Sequence, residues 1–312
     1  MKIIQPEIRV FSIIFMKHQV SKDNLPCTLF TAVCILGVLL AVGCATRRPG
    51  PAPQVKAAPE APMVVLQEGT LPIIISAPHG GARAIPGSAP RKGKGMAKGS
   101  SGFFTGRDPG TEELARLLAA ELTRITGKKP YLVVATFHRK YLDCNRPVEI
   151  ACEDDAAKVV YETYHGALAQ YRAALMKRFG GGLVVDLHGQ GSSRQKVFRG
   201  TKNGVTTAPM RERFGEGIQT GPDSFLSRLK ARGWIVHPEG DGKEQKGFTG
   251  GYITRTCGIG GTDAIQLEFG ASYRVGEQNQ RATAAAMASV LAEMAQYYTG
   301  ELKFQPATPI GR

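Results

Sequence analysis

From Met63 onward, short apolar runs alternate with longer stretches whose apolar residues recur at helical spacing. The runs "MVVLQ" (Met63–Gln67), "LPIIISAPH" (Leu71–His79), "YLVVATFH" (Tyr131–His138), "LVVDLH" (Leu183–His188), "WIVHP" (Trp234–Pro238) and "DAIQLEFG" (Asp263–Gly270) read as strands. Residues 111–126, 153–179, 222–232 and 277–298 read as helices. In the first, Leu114, Leu117, Leu118 and Leu122 form one apolar stripe, with Thr111 as the expected N-cap, Glu112 and Glu113 in the first turn and Gly127 just past the end. The second carries Val159, Val160, Tyr164, Leu168, Tyr171 and Leu175 before three glycines stop it. Strand and helix in alternation imply a layered α/β domain with a largely parallel sheet. No repeat of fixed period and no linker divides residues 63–312, which read as one domain.

Three apolar runs end in chemistry. "GGLVVDLHGQG" (Gly181–Gly191) interrupts a core strand with Asp186 and ends it with His188 between glycines. Burying a carboxylate and an imidazole costs several kcal/mol unless each is paired or bound to a metal. "IIISAPHGG" places His79 equivalently, and "AIQLEFG" carries Glu268 near its end. Open α/β sheets bind ligands at the carboxyl ends of their strands. Two imidazoles and a carboxylate delivered there suit a hydrolytic Zn²⁺ site, in which the imidazoles ligate and the carboxylate takes a proton from water. Asp186, two residues before His188, projects to the same face and is placed to orient an imidazole.

A fourth cluster, "FHRKYLDCNRP" (Phe137–Pro147), brings together Arg139, Lys140, Asp143, Asn145 and Arg146. Arginine beside asparagine makes a carboxylate clamp, and a second arginine is placed to stabilise an oxyanion. No G-x-S-x-G elbow is present, which argues against a serine hydrolase.

Taken in order, "SAPHGG", "RKYLDCNRP", "YHGAL", "VVDLHGQG" and "AIQLEFG" resemble the N-formylglutamate amidohydrolase family over roughly Leu71 to Tyr298. The resemblance implies a phosphorylase/hydrolase-like α/β fold akin to the zinc carboxypeptidases: a mixed, mostly parallel sheet between helical layers. It implies Zn²⁺-dependent cleavage of an amide attached to an amino acid. His79 and His188 would be metal ligands, Glu268 the general base and acid, and Asn145 with Arg146 the anchor for a free carboxylate on a small or peptide substrate. Arg139 is the candidate for the oxyanion. One departure stands out: zinc carboxypeptidases usually supply a glutamate three residues after the first histidine, where this chain has Ala82. "GRDPGTEELA" offers Asp108, Glu112 and Glu113 instead, and Asp108 is preferred because the glutamates suit a helix N-terminus. The missing glutamate also supports a rival reading, an envelope lipoprotein that binds carboxylated or glycan ligands without turning them over.

The 312 residues carry a formal net charge of +14, which favours an anionic partner. Nucleic acid is not among the expected partners, because zinc-finger spacing, a recognition-helix pattern and aromatic-basic RNA motifs are all missing. Part of the excess lies in "RKGKGMAKGSSG" (Arg91–Gly102), read as a solvated loop. Upstream, the uncharged run Leu29–Gly43 stops at Cys44 and resembles a bacterial lipoprotein signal (residues 1–43), with Met16 an alternative start. A Pro/Ala-rich tether over residues 44–62 would then join a lipidated Cys44, and so the membrane of the cell envelope, to the domain. Of the six cysteines, Cys144, Cys152 and Cys257 lie in that domain, and spacing alone does not decide whether Cys144 and Cys152 pair. The mature protein is expected to fractionate with membranes, and Cys44→Ser is expected to abolish lipid attachment; lipid on the serine variant, read by mass spectrometry, overturns the signal.

Overall fold

The computed structural model describes residues 61–99 and 102–301; the signal, Cys44 and nearly all of the tether lie outside them. The strands are β1 (Val64–Gln67), β2 (Ile73–Ala77), β3 (Tyr131–Ala135), β4 (Gly182–Gly189), β5 (Lys196–Gly200), β6 (Ile235–His237) and β7 (Thr262–Phe269). The helices are α1 (Thr111–Thr126), α2 (Val148–Ala151), α3 (Asp155–Phe179), α4 (Ala208–Phe214), α5 (Gly217–Thr220), α6 (Phe225–Ala231), α7 (Tyr252–Cys257), α8 (Ala271–Arg274) and α9 (Glu277–Thr299). Among the described residues, no helix is long and apolar enough to cross a membrane.

Pleat parity sorts the sheet. Its seven strands run in the order β1-β3-β2-β4-β7-β5-β6. β3, β2, β4 and β7 are parallel neighbours, whereas β1 and β5 pair antiparallel with β3 and β7. Successive side chains point to opposite faces. Ile73, Ile75, Leu183, Val185, Leu187, Ile265, Leu267 and Phe269 therefore pack with α1, α6 and α9 in one core. Ile74, Val133, Val184 and Ala264 pack with α3 and α7 in the other. On this second face, towards the carboxyl ends of the strands, the apolar series gives way to Ser76, Asp186, His188, Gln266 and Glu268. The crossover through α1 takes the chain from β2 to β3, and that through α3 takes it back past β2 to β4. The strand order thus reverses at β2 and β4, where open α/β sheets form their ligand crevice.

Local expectations needed some correction. α1 begins at Thr111 with Gly110 as its cap, in a left-handed conformation (φ 89°); the Thr111 hydroxyl instead donates to the Asp108 carbonyl at 2.9 Å. The N-cap of α3 is Asp154, which accepts from the Ala157 amide, and Val159 is 63% exposed because Tyr161 takes its place on the buried stripe. The third helix is shorter than expected, starting at Phe225 with Ser224 as cap. Arg91 is buried against the Arg139 and Phe104 carbonyls, so the basic run is not solvated throughout. Cys144, Cys152 and Cys257 are free thiols.

After β2 the chain squeezes past β3. The Ala82 and Arg83 amides both donate to the Thr136 carbonyl at 3.0 Å, and a Cβ on Gly81 would lie 2.1 Å from the Thr136 carbonyl carbon. Gly81→Ala is therefore expected to cost about 1–3 kcal/mol or more through overpacking against backbone, measured by denaturant unfolding; a loss below about 0.5 kcal/mol contradicts this packing.

Candidate metal centre and its cavity

His79 follows β2, His188 ends β4, and Asp108 lies in the loop before α1. All three are buried, and one ligand atom from each lies within 4.8 Å of the other two. Both imidazoles turn Nδ1 towards Asp108 Oδ2, at 3.5 Å for His79 and 3.3 Å for His188. Each ring is gripped from behind through Nε2: His79 by Asp143 Oδ1 at 2.7 Å and His188 by Asp186 Oδ2 at 2.8 Å. The rear carboxylates are themselves held. Asp143 accepts from Arg139 Nε and Nη2 at 2.9 and 2.7 Å and from the Asn145 amide. Asp186 accepts from Ser76 Oγ at 2.7 Å, and Ser76 meets the Tyr164 hydroxyl of α3 at 2.8 Å.

The donor set fits a divalent cation. His79 Nδ1 is buried with no hydrogen-bond partner, although its ring is fixed and aimed at the cluster. Two imidazole nitrogens and a carboxylate oxygen, with carboxylates orienting both rings, form a common zinc-binding arrangement. The local charges also invite a cation. Burial alone would raise the Asp108 carboxyl, but the facing imidazoles of His188 and His79 outweigh it and hold the group well below the usual carboxylate range. Burial likewise opposes charge on His188, yet Asp186 and Asp108 lift its pKa well above that of a free imidazole.

Glu268 stands beside His188 in register across β4 and β7. Burial pushes its carboxyl up to about 7, with the neighbouring His188 pulling the other way, and its Oε1 accepts from Gln266 Nε2 at 2.9 Å. These groups floor a cavity of about 620 Å³. Arg139, Asn145 and Arg146 form one wall, with Phe104 and Ile150. Arg139 spends two nitrogens on Asp143 and packs over the Phe104 ring at 4.9 Å. Asn145 places Nδ2 3.3 Å from His188 Nε2 and accepts from the Ile253 amide, so much of its capacity goes to positioning. Arg146 donates to the Asn145 carbonyl at 2.8 Å.

Gly247–Gly251 and Arg255 of α7 also line the cavity, with Gly251 packed against the Asn145 side chain. Buried Glu244 anchors this segment by accepting from Arg199 Nε, the Thr201 amide and hydroxyl, and the Asn203 amide. Phe248 stacks on Phe198 of β5 with ring centroids 4.8 Å apart.

Sequence reasoning named Asp143 in its cluster without a role and missed Gln266 and Arg255. Asp143 reaches His79 across 64 positions, which spacing does not reveal; Gln266 shares strand parity with Glu268, the one signal that marks it. Arg255 lies on a six-residue helix between glycines, with no pattern to single it out. Glu112 pairs with Arg116, and Glu112 and Glu113 line a different groove. Ala82 is exposed and lines that groove too. Gly189 leaves room for Arg274 as well as for the cavity: a Cβ there would lie 2.4 Å from Arg274 Nε.

No protein-family model and no curated protein matches the chain. The fold is nevertheless that of solved structures. An N-formylglutamate amidohydrolase from Ralstonia eutropha JMP134 superposes with a TM-score of 0.52 at 16% identity, covering 77% of this chain and 99% of that one. The gene product Atu2144 from Agrobacterium tumefaciens superposes with a TM-score of 0.50 at 17% identity, covering 77% and 97%. The seven-stranded mixed sheet flanked by helices is therefore an α/β fold shared with these two solved structures.

Zn²⁺ binding, followed by competition with a chromophoric chelator, is expected to be lost in His188→Ala and Asp108→Ala. Asp186→Asn should weaken it 10–100-fold, while Glu112→Gln and Glu113→Gln leave it unchanged. Unaltered binding in Asp108→Ala would remove Asp108 from the site.

Proposed function

We propose that this protein is a zinc-dependent amidohydrolase cleaving the amide of a carboxylate-bearing amino acid or peptide. The observation that carries this reading is the convergence of His79, Asp108 and His188 beside Glu268 on the floor of an arginine-walled cavity. When bound, a zinc ion supplies Lewis acidity towards the scissile carbonyl and lowers the pKa of water to about 7. Glu268, already near 7 without the ion, accepts the proton of the attacking water and returns it to the leaving amine. Arg139, neutralised by Asp143 yet lining the cavity, offers hydrogen bonds to the developing oxyanion. Arg146 binds the free carboxylate, and Asn145 keeps that wall in register with His188 and α7.

Cavity volume bears on the substrate. About 620 Å³ is room for a drug-sized ligand, so the site takes an acylated amino acid with further residues attached. Phe104, Ile150 and Phe248 give these an apolar lining. Lipid attachment at Cys44 would place this chemistry on peptide-like substrates of the bacterial envelope, a part of the proposal that stands on the sequence of residues 29–44.

Activity on a panel of N-acyl amino acids and muropeptides tests the reading with zinc-loaded protein. Glu268→Gln is expected to lower kcat about 10²–10⁴-fold with zinc content unchanged. Arg146→Ala should raise KM, most for substrates that keep the carboxylate. Wild-type protein that holds zinc and binds these ligands without turnover would establish the non-catalytic lipoprotein instead; equal cleavage of acid and amide substrates would remove Arg146 from its role.

A further inference from the structure

Arg274 ends the short helix α8 and is 8% exposed. It forms no ion pair among the described residues and gives its guanidinium to three carbonyls. Nε donates to Phe269 O at 3.0 Å, Nη1 to Pro109 O at 2.5 Å, and Nη2 reaches Gln190 O at 3.4 Å. The three carbonyls belong to three different elements of the site. Phe269 follows Glu268, Pro109 follows Asp108, and Gln190 lies two residues beyond His188.

The packing around the fork is close. The Gly189 amide donates to Asp108 Oδ2 at 3.0 Å, and only a glycine fits there beneath Arg274. The backbone of Arg274 is fixed in turn, since Gln280 Nε2 of α9 donates to its carbonyl at 2.9 Å. A Cβ on Gly110 would lie 1.7 Å from that same carbonyl oxygen, so the loop carrying Asp108 is pressed against α8.

From this arrangement we propose that Arg274 is a positioning residue for the metal centre, clipping the Asp108 loop to the ends of β4 and β7. The proposal rests on the reading of His79, Asp108 and His188 as metal ligands. The need for a clip follows from where Asp108 sits. His188 lies within the β4–β7 ladder and His79 follows β2 by two residues, but Asp108 belongs to a loop whose reach into the site depends on what holds it. The planar fork suits the task because its donors point in fixed, divergent directions; a lysine ammonium is a single point and serves fewer of the three acceptors. Arg274 does not line the cavity and makes no ion pair with Asp108, so its hold on the site runs through the backbone carbonyls beside Asp108, His188 and Glu268.

The test measures Zn²⁺ affinity of Arg274→Lys and Arg274→Met by chelator competition, alongside thermal unfolding of the metal-free proteins. Zinc affinity of the folded variants is expected to fall 10–100-fold, the range for groups that orient metal ligands, with lysine retaining more than methionine. Folded variants that bind zinc within twofold of wild type overturn the proposal. So does failure of both variants to fold, which would make Arg274 a purely structural residue. Should only the methionine variant fail, the lysine variant decides. Wild-type protein that takes up no zinc overturns the metal reading itself, and the clip with it.

Discussion

Two imidazoles face each other across one buried carboxylate, each held at its back by another, and the interior of this protein is arranged to keep them so. Asp108, Asp143 and Asp186 are all buried, and each such charge costs several kcal/mol unless paired and hydrogen-bonded. The pairing runs outwards in layers. Asp143 draws on Arg139 and the Asn145 amide. Asp186 draws on Ser76, and Ser76 on Tyr164, which is how the longest helix comes to bury a phenol against the middle of the sheet. The rings thus have little freedom to rotate, and their Nδ1 atoms stay on the side of Asp108.

The same economy changes the meaning of the positive charge. Arg91, Arg139, Arg199 and Arg274 are buried and engaged with internal acids or carbonyls. They belong to the protein's internal electrostatics and contribute little to a field that would steer polyanions. Arg146 and Arg255 line the same cavity as Arg139 and Glu268. A surplus read as surface attraction is therefore partly the counterweight to a buried acidic cluster, and partly positive charge lining a cavity.

The sheet was legible because its strands are apolar on both faces, and the site because polar residues break that rule at the strand ends. Asp186, His188 and Glu268 share one parity, so a break in the pattern located the face that carries the site, and Ser76 and Gln266 prove to lie on it too. What escaped is what depends on distant partners. β5 has only Val197 and Phe198 as apolar residues, and its Arg199 is buried because Glu244 arrives from a later loop. Asp143 meets His79 across 64 positions. The N-cap at Thr111 was misplaced for a similar reason: the turn that α1 needs is set by how Gly110 threads past Arg274, which no local window contains.

The fate of position 82 shows how the third acid comes to be Asp108. Beyond His79 the chain leaves the site at once: Gly81 passes against the Thr136 backbone, and residues 82 and 83 bond to the end of β3 with Ala82 turned to solvent. A glutamate there would face a different groove, so losing it removes nothing from the cluster. The acid is supplied by the next loop, whose path is fixed at both sides of Asp108. The Asp108 amide donates to the His79 carbonyl at 2.8 Å, and the Pro109 carbonyl accepts from Arg274. The cluster is distributed over the residue that follows β2, a loop and β4. Its geometry is then set by groups outside the cluster, the His79 carbonyl and the Arg274 guanidinium among them.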